Sequence, residues 1–177
     1  MGIAPWLMMF RGTHVITDTS RESLISGPLA PMIKGGMERV ELQNSANNSL
    51  STGKEQLIVL QGLIIKATAD TRLLQIYTEA VEELPKSFMA FGLDQYNHGT
   101  TDAFIWAHRV SDEYLPLLEG QTQELLCILA FFSVLLHKMK AKWWCEGRST
   151  HLMTKISRLL NEAHRRWIWR PFKEVFE

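Results

Sequence analysis

The 177 residues hold 19 Lys and Arg against 19 Asp and Glu, with 46% hydrophobic and 21% charged residues. That length supports one domain with a core of its own, and the zero net charge removes the general electrostatic basis for direct nucleic-acid binding, which rests on neutralising phosphates. Two cysteines, Cys127 and Cys145, are too few for a disulfide scaffold or, alone, for a structural zinc site, and fit a reducing intracellular compartment.

The first expected element is a helix to about Thr17, because Trp6, Phe10, Thr13, His14, Ile16 and Thr17 recur at helical spacing. Asp18, Thr19 and Ser20 end it and cap the next element. Gly27-Pro28 and Pro31 punctuate a short apolar piece, Leu29 to Ile33, and Gly35-Gly36 breaks the pattern. From Glu41 to Gly53 the chain is polar, with Asn44, Asn47 and Asn48. This predicts a flexible loop over about 41–54 inside a single domain spanning 1–177. A helix is then expected over Gln56–Thr68, with Leu57, Leu60, Ile64 and Ala67 on one stripe. Asp70-Thr71 caps the next, Leu73–Leu84, whose buried face is Leu74, Tyr77, Val81 and Leu84. Pro85 ends or redirects it, and a short segment runs from Ser87 to Leu93.

Asn97-His98-Gly99-Thr100 is a turn signal. Thr101 or Asp102 opens a helix carrying Phe104, Ile105, His108, Tyr114 and Leu115 as far as Pro116 or Gly120. The next helix, Gln121–Lys142, holds the longest apolar run, Leu125–Leu136, broken only by Ser133. That run falls well short of the ~20 residues needed to cross a bilayer, so it reads as a buried core helix and no membrane span is expected. Ser149 or Thr150 caps a helix to about Glu162, and Trp167–Phe172 is partly helical, limited by Pro171. With no sustained strand alternation and no internal repeat, the chain is all-α: an irregular multi-helix bundle in one domain.

Chemistry is sparse. There is no Gly-rich phosphate loop and no Gly-x-Ser-x-Gly elbow. Cys145 lies near Glu146 and His151, a spacing that admits a thiol–imidazole pair, but beside two tryptophans a buried structural thiol is the plainer reading. As metal ligands, Cys145 and His151 lack enough partners. His108 and His137 fall on largely apolar helices as hydrogen-bonded core or boundary residues, and His164 stands with Arg165 and Arg166 on a solvated basic face. Asp112 and Glu113, adjacent on a helix, point about 100° apart and pair with Arg109 instead of converging on one atom. No catalytic residue, metal or cofactor is indicated, and the chain does not read as an enzyme. Trp143, Trp144, Trp167 and Trp169 cluster late in the chain, where they either anchor the terminal helices or wall an apolar pocket between them. Met8, Met9, Met153, Phe131 and Phe132 suit either role.

The order of these segments carries a family resemblance. Ile105-Trp106-Ala107-His108-Arg109-Val110-Ser111-Asp112-Glu113-Tyr114-Leu115 is followed by Ile128-Leu129-Ala130-Phe131-Phe132-Ser133-Val134-Leu135-Leu136-His137. Then come Trp143-Trp144-Cys145-Glu146-Gly147 and Glu162-Ala163-His164-Arg165-Arg166-Trp167-Ile168-Trp169-Arg170-Pro171. Trp6, Arg11-Gly12 and Ser26-Gly27-Pro28-Leu29-Ala30-Pro31 fit the start of the same region. The whole resembles the C-terminal regulatory region of fungal zinc-cluster transcription factors, in particular the sterol-uptake-regulator-like group. The resemblance implies a helical effector domain, in the nucleus or cytoplasm, that binds a hydrophobic, sterol-like ligand and regulates gene expression. Its pocket would be lined by Phe131, Phe132, Leu135, Trp143 and Trp144. The family's cysteine-rich zinc cluster is missing from these residues, and Arg148 stands where the family pattern has a ring.

Three functions compete. The first is this ligand-regulated effector domain. The second is a protein-interaction module that pairs as a homodimer, or as a heterodimer with a related regulator, and would expose apolar residues. The third is a small helical enzyme of secondary metabolism, which needs His108, Asp112 and His137 to converge.

Overall fold

The computed structural model describes residues 7, 12, 19–28, 30–45, 54–93, 100–143 and 145–177. These form ten helices and, among the described residues, no strand, so the chain is all-α as expected. The helices are α1 (Arg21–Ser26), α2 (Ala30–Ser45), α3 (Lys54–Ala67), α4 (Thr71–Leu93) and α5 (Thr100–Arg109), then α6 (Tyr114–Glu119), α7 (Gln123–Lys138), α8 (Arg148–Leu159), α9 (Glu162–Trp167) and α10 (Trp169–Phe176).

The apolar run behaves as its composition demands. Every residue from Leu125 to Leu136 is buried, so α7 is enclosed all round, as a helix without a polar face must be. Helices α4, α6, α8, α9 and α10 surround it. Ser133, the one polar residue in the run, donates its hydroxyl proton to the Ala130 carbonyl at 2.7 Å, so its donor is satisfied within the core.

Helix starts follow their caps. The Asp70 carboxylate accepts from the backbone N–H of Arg72 at 2.8 Å and of Leu73 at 3.0 Å, opening α4 where the sequence indicated. Asn161 caps α9 in the same way, accepting from the His164 N–H at 2.9 Å. Helix α8 is capped by Gly147 at φ 68°, two residues before the expected Ser149, and it ends at Leu159 instead of near Glu162.

Prolines and glycines interrupt less than the sequence implied. Helix α4 runs through Pro85 to Leu93, absorbing the short Ser87–Leu93 segment. An interior proline costs about 3 kcal/mol, and the buried Ala80, Val81 and Leu84 just before it supply packing that offsets the lost hydrogen bond. Pro116 and Pro171 sit at the third positions of α6 and α10, where a missing N–H is one that a helix leaves unpaired anyway. The expected single helix from Thr101 towards Pro116 therefore breaks earlier, at Ser111, whose carbonyl accepts from the Tyr114 N–H at 3.0 Å. Helix α2 continues through Gly35-Gly36 and on to Ser45, because glycine weakens a helix by about 1 kcal/mol without ending it. The polar loop expected over 41–54 is thus helical through Ser45, and residues 46–53 lie outside the described set. So do most of the expected first helix and the turn at Asn97-His98-Gly99, although Leu7 is helical and fully buried.

On α3, Leu57, Leu60 and Ile64 are buried as expected, but Ala67 is exposed at the helix end. Trp106 closes the centre of the bundle. Fully buried on α5, it donates its indole N–H to the Ala80 carbonyl of α4 at 2.8 Å and stacks on Phe132 of α7.

Candidate functional site

Among the described residues, the expected ligand-lining side chains lie in different surroundings. Phe132 is fully buried, stacked on Trp106 with ring centroids 4.5 Å apart and approached edge-on by Phe104 at 6.5 Å. Leu135 is fully buried in α7. Phe131 faces a cleft of about 30 Å³ bounded by Phe88, Val134, Pro171 and the Lys138–Glu174 ion pair. A water occupies roughly 10–15 Å³ on this measure, and small-molecule pockets run to about 300–1,000 Å³, so the cleft has room for a few waters and not for a sterol. Trp144 lies outside the described residues.

Trp143 is the clearest departure from expectation, since it is 86% exposed. The cause is the backbone after α7. Successive turn hydrogen bonds, Lys140 N–H to His137, Lys142 N–H to Met139, Cys145 N–H to Lys142 and Arg148 N–H to Cys145, coil the chain tightly. That coil carries Met139 and Cys145 inward and leaves Trp143 outward. Arg148, in the position where the resembled family has a ring, is exposed at the first residue of α8.

The candidate chemical groups sit in unlike surroundings. Cys145 is buried, and that burial pushes its thiol up to about 11, while His151 is exposed. Burial raises the Cys127 thiol further. Both thiols are therefore held as S–H, the unreactive form. His137 lies at the end of α7, 3.4 Å from the Ser149 hydroxyl, and burial, aided by Lys140, lowers its pKa. Among the described residues, no three His, Cys, Asp or Glu side chains gather closely enough to hold a metal ion. Arg109 reaches across to Glu83 of α4 at 3.1 Å, and Glu113, which the sequence pairing had joined to Arg109, pairs with Arg72 at 3.0 Å. His164 is not on a solvated face but half-buried, 4.2 Å from the Trp167 ring centroid, with Glu124 at 3.6 Å.

The feature that sequence reading passed over is the outer face of α3. Ile58 is 59% exposed, Val59 62% and Ile65 52%, on the side opposite the buried Leu57, Leu60 and Ile64. At about 100° per residue, Glu55, Ile58, Val59, Gly62, Ile65 and Lys66 share one arc of about 120°. A helix apolar on both sides is ordinarily covered on both, so this one offers an unfilled contact. The signal was present in Leu57-Ile58-Val59-Leu60 and Leu63-Ile64-Ile65, where apolar residues point in every direction. Trp143 and Trp169, the latter 64% exposed on α10, add isolated exposed rings.

No protein-family model matches the chain, and neither does any curated protein or solved structure. Among the described residues, no helix is long and apolar enough to cross a membrane.

Proposed function

We propose that this chain is a non-catalytic helical effector domain of the transcription-regulator type, and that it works by docking onto another protein. The observation that carries the reading is the uncovered apolar face of α3, Ile58, Val59 and Ile65. Buried surface of that kind drives association, and exposed contiguous apolar residues mark contact sites. The regulator assignment rests on the order of segments from Ile105 to Pro171 that resembles the zinc-cluster effector region. Docking is favoured over a sterol-like ligand because the rings expected to line a pocket are already engaged. Phe132 packs between Trp106 and Phe104, and admitting a rigid lipid would require separating them.

The test is a reporter assay with the chain fused to an unrelated DNA-binding domain. The fusion changes transcription relative to the DNA-binding domain alone, and Ile58→Asp with Ile65→Asp abolishes the change while leaving the circular dichroism and melting of the isolated chain intact. A reporter unmoved by the wild-type fusion at equal protein level overturns the reading.

A further inference from the structure

The α3 face is self-complementary, which points to its occupant. Glu55 and Lys66 are both exposed at opposite ends of the stripe, and among the described residues neither is in an ion pair. Between them lie the branched side chains Ile58, Val59 and Ile65, and Gly62, where an added Cβ would meet nothing within 4 Å. If two such helices cross antiparallel about a two-fold axis, positions whose numbers sum to 121 face each other. Glu55 then meets the partner's Lys66, and Val59 meets the notch at the partner's Gly62. Both contacts occur twice, as a two-fold interface requires. Ile58 and Ile65 flank the axis on the same face.

We propose that the outer face of α3 binds a second copy of this chain, through an antiparallel helix pair with Val59 seated at Gly62 and Glu55 bonded to Lys66. This deepens the docking reading above by naming the partner. The stripe runs twelve residues, from Glu55 to Lys66, spanning about 16 Å of helix. That is a small contact beside the ~1,200–2,000 Å² of a stable interface, so the dimer is weak and forms with rising concentration. A glycine in the middle of the stripe suits such a contact, since it lets two backbones approach closely.

Analytical ultracentrifugation of the full chain over a wide concentration range tests this. The mean mass rises from one chain towards two with concentration. Glu55→Lys alone and Lys66→Glu alone each place like charges together at two points and weaken self-association about tenfold. Mixed in equal amounts, these two variants pair with one another, because every cross-contact is then Lys with Glu or Glu with Lys. The double variant E55K/K66E again pairs with itself. Gly62→Leu fills the notch and leaves a folded monomer. A chain that stays monomeric up to millimolar concentration, or a dimer indifferent to these charge reversals, overturns the proposal. A monomer whose reporter effect still depends on Ile58 and Ile65 overturns self-pairing but leaves the effector reading standing. A charge-dependent dimer with a silent reporter does the reverse.

Discussion

Trp106 and Phe132 lie ring on ring, 4.5 Å between centroids and 26° between planes, while Tyr114 meets the same indole edge-on at 5.5 Å. The three residues come from α5, α7 and α6. The indole N–H is bonded to the Ala80 carbonyl, which brings α4 into the same contact. Four helices therefore depend on one side chain. Trp106→Ala opens a cavity at their junction and costs about 3–5 kcal/mol, read as a lower urea midpoint. Trp106→Phe keeps most of the ring and leaves the Ala80 carbonyl without the indole donor, so its loss is smaller, about 1–3 kcal/mol.

Removing the Asp70 carboxylate uncaps α4. Asp70→Ala leaves the Arg72 and Leu73 N–H groups without their side-chain acceptor, a loss of about 1 kcal/mol. Asp70→Asn, which keeps an acceptor oxygen, retains most of the stability. Thermal unfolding of the two variants separates capping from charge.

Two glycines respond oppositely to alanine. Gly62 sits inside α3 with open space around it, so Gly62→Ala stabilises the fold by about 0.5–1 kcal/mol through helix propensity. Gly147 adopts φ 68° at the start of α8, a left-handed conformation in which a Cβ costs about 1–2 kcal/mol. Gly147→Ala lowers the melting temperature accordingly.

His137 makes the fold sensitive to acid. Its folded pKa lies below the ordinary 6.5, through burial first and Lys140 and Lys138 next, against the opposing pull of Glu174. The unfolded chain therefore binds this proton more readily than the folded one, and stability falls as pH drops through 6.5. His137→Gln removes this part of the dependence. The gap between wild type and variant, measured by urea unfolding on either side of pH 6.5, changes in the variant's favour on the acid side.

The two cysteines resist alkylation while the chain is folded. Both are buried, and burial keeps both thiols protonated. Iodoacetamide labels neither at a useful rate in native buffer and both in denaturant, as mass spectrometry reads directly.

Much of the architecture was legible because helical periodicity and caps are local. Asp70 and the stripe Tyr77, Val81 and Leu84 announced α4 without any tertiary knowledge. The departures share one cause. Pro85 and Gly35-Gly36 are breakers on local grounds, yet each costs only a few kcal/mol, and neighbours distant in sequence supply more than that by packing. Trp143 departed from its expected role for a different reason. An aromatic cluster in sequence, Trp143 with Phe131 and Phe132, says that rings are near one another along the chain, but a turn decides which side each faces. The exposed side of α3 was visible as a run of apolar residues and was passed over, since periodicity identifies a buried face more easily than an uncovered one.

By itself the sequence determined that the chain is helical and that Leu125–Leu136 is its centre, because a run with no polar face has no stable place except inside. Only the tertiary structure decided that Trp143 turns to solvent, that Trp106 joins four helices, and that Ile58, Val59 and Ile65 remain uncovered. Those outcomes depend on how many neighbouring helices reach each surface, a quantity set by the whole bundle and carried by no local segment of the chain.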